Sequence, residues 1–256
     1  ITKIMKFIPI TIFPEIFDGF CKYGVSGKAI NSKIVEVSCQ NLRDFSDYDQ
    51  KTVDSRPYGG GPGLALQAKA LKKAVESVAK KNVNKKINVI YFAPHGKKID
   101  QQMIEAIVRD RTNVDTYCLI CGRYEGVDER FIETYVDDVL SVGDLILSGG
   151  ELAAMVFMDS IIRRLPGVLG NEDSALNDSF MKGMLQYPQY GRPEVVESLR
   201  VPEVLLNGDH GAISKWRRKK AIERTAKYRP DLLERCLRLG EVSLEEVRVV
   251  VEQNKK

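Results

Sequence analysis

YCLICGRYEGVDERFIETYVDDVLSVGDLILSGGE, residues Tyr117 to Glu151, holds two short apolar runs, Tyr117 to Cys121 and Leu145 to Leu147, and glycines set beside polar groups follow each. After the first run comes Gly122-Arg123-Tyr124-Glu125-Gly126, and after the second Ser148-Gly149-Gly150-Glu151; the loop Ser141-Val142-Gly143-Asp144 lies between them. Strands that end in glycine-rich loops are where α/β proteins bind ligands, because a residue without a Cβ lets main-chain N–H and C=O groups approach closely. Any one such loop is an ordinary turn. Three in one stretch, with Tyr, Arg and Glu interleaved, predict a single pocket lined mainly by main chain.

Outward from this stretch, strand, loop and helix alternate, the pattern of a parallel α/β sheet. Lys6 to Phe13 is β-branched and aromatic and reads as a buried strand that stops at Pro14, with a helix from there to about Tyr23. Ile34 to Ser38 and Ile87 to Phe92 read as further strands, the latter leading into a loop at Ala93-Pro94-His95-Gly96; Leu64 to Lys81 and Lys98 to Arg109 read as helices. Ser148 and Glu151 have the spacing of a capping box for a helix that ends at Arg163-Arg164, before Pro166-Gly167. The expected organisation is an N-terminal α/β domain over 1–165, a linker over 166–178 and a helical C-terminal domain over 179–256. In the last of these, Asp209 caps a helix to about Tyr228, and a final helix to about Asn254 starts with a Ser243/Glu246 capping box.

At 256 residues, 43% hydrophobic and 29% charged, the chain has the size and composition of a globular protein with a substantial core. No apolar run approaches the roughly 20 residues of a membrane span, and the first residues lack a signal-peptide cleavage pattern, so the expectation is a cytoplasmic protein with a natural start at Met5. Five cysteines without framework spacing fit a reducing compartment, and Cys118-x-x-Cys121 sits inside an apolar strand, where packing explains it better than metal or redox chemistry.

Polar residues narrow the chemistry. The segment Asn41 to Gly63 contains Gly59, Gly61 and Gly63, but Arg56-Pro57-Tyr58 precedes them where a dinucleotide fold needs an apolar strand, and no Gly-Lys-Ser/Thr follows. With two histidines, His95 and His210, nucleophilic triads and His-based metal spacing find no support. What remains is carboxylate and arginine chemistry. Glu125, Asp144, Glu151 and Asp178 are candidates, with Arg123, Arg163 and Arg164 as cations; Arg163 could equally pair with Asp159, and Asp178 could cap a helix over Ser179 to Leu185. Lys215 to Arg229 holds eight Lys and Arg against one acid, Glu223, with Trp216 and Tyr228 among them, which suits either phosphate binding or a solvated helix face.

RPYGGGPG (Arg56 to Gly63), LICGRYEGVDER (Leu119 to Arg130), SVGDLILSGGEL (Ser141 to Leu152), PGVLGNE (Pro166 to Glu172), NDSF (Asn177 to Phe180) and RPEV (Arg192 to Val195) resemble, in order and spacing, the bacterial tRNA (guanine-N1)-methyltransferases. The likeness runs from FPEIF near the start to the VPEVLLNGDH and WRRKKA segments. It implies a SPOUT-type α/β fold with a deep trefoil knot, a small α-helical C-terminal domain, and a homodimer with its active site at the subunit interface. It implies S-adenosylmethionine as methyl donor, held by Pro94, Gly122, Tyr124, Glu125, Gly126, Ser141, Val142, Gly143, Leu145, Leu147, Gly149 and Gly150. The implied partner is tRNA with guanosine at position 37, the implied catalytic residues are Asp178 as base and Arg163 as the cation at O6, and Mg2+ is associated with the family without a dedicated site in this sequence. The departures are small: Leu145 replaces an aromatic residue, Ala153 a proline and Gly191 a threonine, and Ala93 and His95 replace Ser and Gln. The alternatives are a related SPOUT enzyme with another RNA target and a non-catalytic RNA-binding protein of this fold.

Overall fold

Long β-branched runs with few charges become parallel strands only when both faces of the sheet are covered, and the computed structural model, which describes residues 4–111, 113–170 and 177–253, has this arrangement. Strands β1 (Met5–Thr11), β2 (Val35–Val37), β3 (Gln40–Asn41), β6 (Ile87–Lys98), β7 (Thr116–Ile120) and β8 (Asp138–Ser141) form one sheet of order β2-β1-β7-β6-β8, with β3 beside β1. All its pairings are parallel. Two short strands, β4 (Asp54–Ser55) and β5 (Ala65–Leu66), pair antiparallel outside it.

Side chains alternate across β7. Tyr117, Leu119 and Cys121 enter a core with Phe7, Phe92 and the helix α6 (Glu151–Ile162), whereas Cys118 and Ile120 face Leu71, Val78 and Phe131 on the other side. The helices α3 (Ala68–Lys81) and α5 (Glu129–Tyr135) supply that second layer. Around the sheet lie α1 (Asp18–Lys22), α2 (Gly24–Asn31) and α4 (Gln101–Arg109). The two cysteines of the Cys-x-x-Cys therefore project from opposite faces and are buried apart, as strand packing requires; burial pushes the Cys118 thiol up to about 12.

Several boundaries differ from the sequence reading for identifiable reasons. Leu145 to Leu147 is not a strand: Leu145 and Ile146 are exposed, and the edge strand is β8, where the carboxylate of Asp137 accepts from the Val89 N–H at 2.7 Å. Ala93 to Gly96 is not a loop but the continuation of β6, whose register against β8 shifts between Phe92 and Lys97. Leu64 to Gln67 is extended rather than helical, because Leu66 hydrogen bonds to Gly126 and Asp128. The segment after Pro14 is a 3-10 turn followed by the two short helices α1 and α2.

The chain divides into two compact units, Ile1–Glu172 and Asp173–Lys256. Leu165 and Val168 are buried in the core of the first. Part of the expected linker, 171–176, lies outside the described residues, as do 1–3 and 254–256, which include the expected end of the last helix at about Asn254. In the second unit, Ser179 to Leu185 forms turns and not the helix considered above, followed by a small hairpin of β9 (Val195–Val196) and β10 (Leu199–Arg200). Helices α7 (His210–Tyr228), α8 (Pro230–Arg238) and α9 (Leu244–Gln253) then close on a core of Met184, Ile222, Leu233, Cys236, Val242 and Val250. Both expected caps are present: Asp209 accepts from Gly211 and Ala212 N–H, and Ser243 and Glu246 cap each other reciprocally.

Phe157, fully buried and edge-on to both Phe92 and Tyr117, ties α6 to the sheet. Phe157→Ala should lower stability by about 3–5 kcal/mol, read as a drop in the urea midpoint; an unchanged midpoint would contradict this packing. At the other end of α6, Arg164 clasps Glu105 of α4 at 2.6 and 3.0 Å, and that guanidinium holds the Glu105 carboxyl below the usual glutamate range. With the folded value depressed, the pair stabilises the protein above the unfolded glutamate pKa, and that contribution is lost as pH falls from about 5 through 4 and below. Glu105→Gln should therefore be less stable at neutral pH and lose less of its stability than the parent on acidification, measured by urea unfolding at each pH.

Candidate functional site

The glycine loops after β7 and before α6 are stitched together by main chain. Gly150 N–H donates to Gly122 O at 2.9 Å, and Arg123 and Gly149 form an antiparallel bridge. A Cβ on Gly150 would stand 2.8 Å from the Cys121 Cα and 3.0 Å from the Gly122 nitrogen, so only glycine permits this approach. Beneath the junction, Glu151 is 1% exposed; its Oε1 accepts from Thr11 Oγ1 at 2.7 Å and Arg123 Nε at 3.1 Å. Oε2 sits 3.0 Å from Arg123 Nη2 as an ion pair, without the alignment of a hydrogen bond. Arg123 also donates to Ser148 O at 3.3 Å and stacks over Phe13, 4.8 Å from the ring centre.

This network corrects the capping-box reading. The helix starts at Glu151 with Gly150 as N-cap and no side-chain cap, because the Glu151 carboxylate is committed to Arg123 and Thr11. Spacing alone points to a local partner, whereas those of Glu151 lie 28 and 140 residues away.

The third loop folds on itself, with Gly143 N–H donating to Ser141 Oγ at 3.2 Å and Gly143 at φ +135°. Beside it, Tyr124 takes φ +60°, a left-handed conformation uncommon outside glycine and associated with functional loops. The polar segment before α3 has a part here that its sequence did not reveal: Glu125 N–H donates to Leu64 O, Leu66 N–H donates to Gly126 O, and Gly63 lies against the Glu125 side chain.

Together the loops enclose a cavity of about 240 Å³. Every residue named above as a donor-pocket residue, from Pro94 through Gly150, lines it. The lining also includes Tyr91, Phe92, Ala93, Arg123, Leu140, Ile146, Ser148 and Ala153, which the sequence reading did not assign to the pocket. Tyr91 was hidden inside a strand; its ring passes beneath Gly122, where a Cβ would meet it at 3.0 Å, and burial pushes its phenol up. The lining combines main-chain donors and acceptors, apolar surface from Pro94, Val142, Leu147 and Ala153, and the Glu125 carboxylate. Such a set suits a small ligand with a flat polar edge, an apolar body and a positive charge. Asp144 is exposed beside the cavity, outside its lining.

Arg163 is the C-cap of α6, at the far end of the helix whose first turn closes the cavity, and is half-buried. Asp178 belongs to the second unit and is also half-buried, with its carbonyl accepting from Met181 N–H. Among the described residues no group of three or more His, Cys, Asp or Glu is placed to hold a metal ion, and no helix is long and apolar enough to cross a membrane. On α7 and at its C-cap Arg229, Arg218 is paired with Glu246, Lys219 and Lys220 with Glu223, and Arg229 with Asp231. Lys215, Arg217, Arg224 and Lys227 have no carboxylate partner among the described residues.

A parallel sheet whose strand ends gather glycine loops round one cavity defines an α/β protein with a small-ligand site, and the family it matches places it in the SPOUT class. The sequence model described as tRNA (Guanine-1)-methyltransferase TrmD matches residues 5–235, and the chain belongs to that family. Among similar proteins, one from Buchnera aphidicola subsp. Schizaphis graminum is 48% identical over 90% of this chain and 86% of its own length. Relatives from Pasteurella multocida (47% identical, 88% of this chain, 90% of theirs) and Nitrosococcus oceani (48%, 90% of each chain) are similar to the same extent. All three bear the name tRNA (guanine-N(1)-)-methyltransferase.

Removing Glu151 would leave Arg123 without its buried carboxylate and Thr11 without its acceptor. Glu151→Ala should cost about 3–5 kcal/mol, as breaking a buried pair does, and Glu151→Gln, which keeps an acceptor for both, markedly less. Thermal unfolding of the two variants checks the order; equal losses would reject the clasp.

Proposed function

We propose that this protein transfers a methyl group from S-adenosylmethionine to N1 of guanosine 37 of tRNA. The observation that carries the reading is the cavity itself: the residues that the family resemblance assigns to the donor meet round one space, in a chain matched by the family over 5–235. The fit to the donor is chemical. Main-chain groups of the glycine loops would bond an adenine edge, Leu147, Val142 and Ala153 would give apolar contact, and the Glu125 carboxylate in the lining would offset the donor's positive charge. When bound, the donor supplies a methyl group on a sulfonium, which needs no further activation.

The acceptor does need activation. Guanine N1 carries a proton at neutral pH and is a poor nucleophile until the proton leaves, so a positioned base is required. Asp178 takes that role: its carboxylate accepts the N1 proton as the methyl group arrives. Loss of that proton pushes negative charge onto O6, where the planar guanidinium of Arg163 stabilises it until the N1–methyl bond has formed, the donor's C–S bond has broken and its sulfur has left as a neutral thioether. The glycine loops hold the reacting atoms in line. In the proposed homodimer, Asp178 of one subunit serves the cavity of the other, so activity depends on assembly. In this reading the segments after Phe92, Cys121 and Leu140 form the trefoil knot; Gly96 lies against the Leu140 backbone and Gly150 against that of Cys121. For Mg2+, the described residues offer no ligand cluster, and no step is assigned to it.

The test is methyl transfer from labelled S-adenosylmethionine to unmodified tRNA transcripts with guanosine or adenosine at position 37. Label recovered as N1-methylguanosine from the guanosine transcript alone is the expected result; label on ribose or on another base would assign a different SPOUT activity. Asp178→Ala should lower transfer by at least about 100-fold, the usual worth of a general base, with donor binding retained by calorimetry. Full activity in that variant would remove Asp178 from the role.

A further inference from the structure

The second unit holds a cavity of its own, about 910 Å³, whose lining residues run from Tyr187 to Arg217. Tyr187 and Tyr190, on the extended segment before the β9–β10 hairpin, meet Trp216 and Arg217 of α7 there. The Tyr190 and Trp216 rings are 6.2 Å apart at 55°, and the Arg217 guanidinium lies 4.9 Å from the centre of the Tyr187 ring. Tyr190 is 48% exposed and Trp216 half-buried, so aromatic surface remains open to solvent. Arg192 lines the same space; the acid in its lining, Glu194, is held by Arg200 at 3.0 Å. The cavity is thus aromatic and net positive, and Lys215 continues the charge along α7.

Flat aromatic faces stack on an unpaired base whatever its identity, while planar guanidinium groups pair with its phosphate and extend the stacking surface. A protein partner would find the same aromatic rings but would gain less from two arginines beside them. We propose that this cavity takes an unpaired nucleotide of the RNA substrate, its base against the Tyr190–Trp216 pair and its phosphate at Arg192 and Arg217. The inference rests on the reading that the chain acts on tRNA, and adds a nucleotide contact made by the second unit.

Trp216 is the sole tryptophan, so its emission reports on the site directly. The full-length protein is titrated with unmodified tRNA transcript while tryptophan emission and the anisotropy of end-labelled tRNA are followed together. Saturable quenching that tracks the anisotropy is expected with tRNA, and none with a blunt RNA duplex lacking unpaired nucleotides. Tyr190→Ala and Arg217→Ala should each weaken tRNA binding about tenfold, within the range for loss of one stacked base, and Tyr190→Phe, which keeps the ring, should bind as the parent does. Circular dichroism confirms that each variant is folded. Binding of tRNA without any change in emission, or equal affinity in the Ala variants, overturns the nucleotide site and leaves the methyltransferase reading intact. No anisotropy change with tRNA removes both. Emission that shifts with protein concentration and not with RNA assigns the surface to a second copy of the chain, which also overturns the proposal.

Discussion

A buried carboxylate sets the geometry of this protein's cavity. Glu151 accepts from a threonine on the first strand of the sheet and from an arginine in the loop after β7, and it does so from the first turn of the helix that covers the sheet. A charge removed from water costs several kcal/mol unless it is paired and hydrogen-bonded, so the three elements cannot separate without exposing it. The contact above it, Gly150 against Cys121 and Gly122, joins the same loop to the same helix. Pocket shape and fold stability are one constraint here. The same helix is pinned at its other end by Arg164 and Glu105, which fixes the backbone next to Arg163.

How much of this was legible in the sequence depends on the range of the interaction. The parallel sheet was legible because its strands are buried on both faces and so read as unbroken apolar runs. The caps at Asp209 and at Ser243 with Glu246 were legible because donor and acceptor lie within one helical turn. The capping box at Ser148 and Glu151 has the same spacing and failed, since spacing carries no information about Thr11 or Arg123. Leu145 to Leu147 misled for a different reason: apolar residues at the rim of a cavity look in sequence like a buried strand, and only the exposure of Leu145 and Ile146 separates the two. Pro94 and Gly96 read as a loop, yet β6 passes through them because Gly96 is pressed against the backbone of Leu140. Tyr91 could not have been assigned to the cavity from its position inside a strand.

The cavity residues themselves were legible mainly through motif order. Glycine spacing announced a main-chain site, and the family resemblance named its members; neither indicated that Leu64 and Leu66 brace the Glu125 loop from behind. That brace gives the long polar segment before α3 a structural connection to the site, through residues that looked like the start of a helix.

The ion pairs along α7 bear on solution behaviour. Four of the eight cations from Lys215 to Arg229 share three carboxylates of the same unit: Arg218 with Glu246, Lys219 and Lys220 with Glu223, and Arg229 with Asp231. A polyanion meeting this helix displaces counterions in proportion to the charges still available to its phosphates. A polyanion bound along Lys215 to Arg229 would therefore meet a net charge nearer five than the eight its cations alone would give, leaving stacking by the aromatic residues there to act at ionic strengths where a fully basic helix would let go.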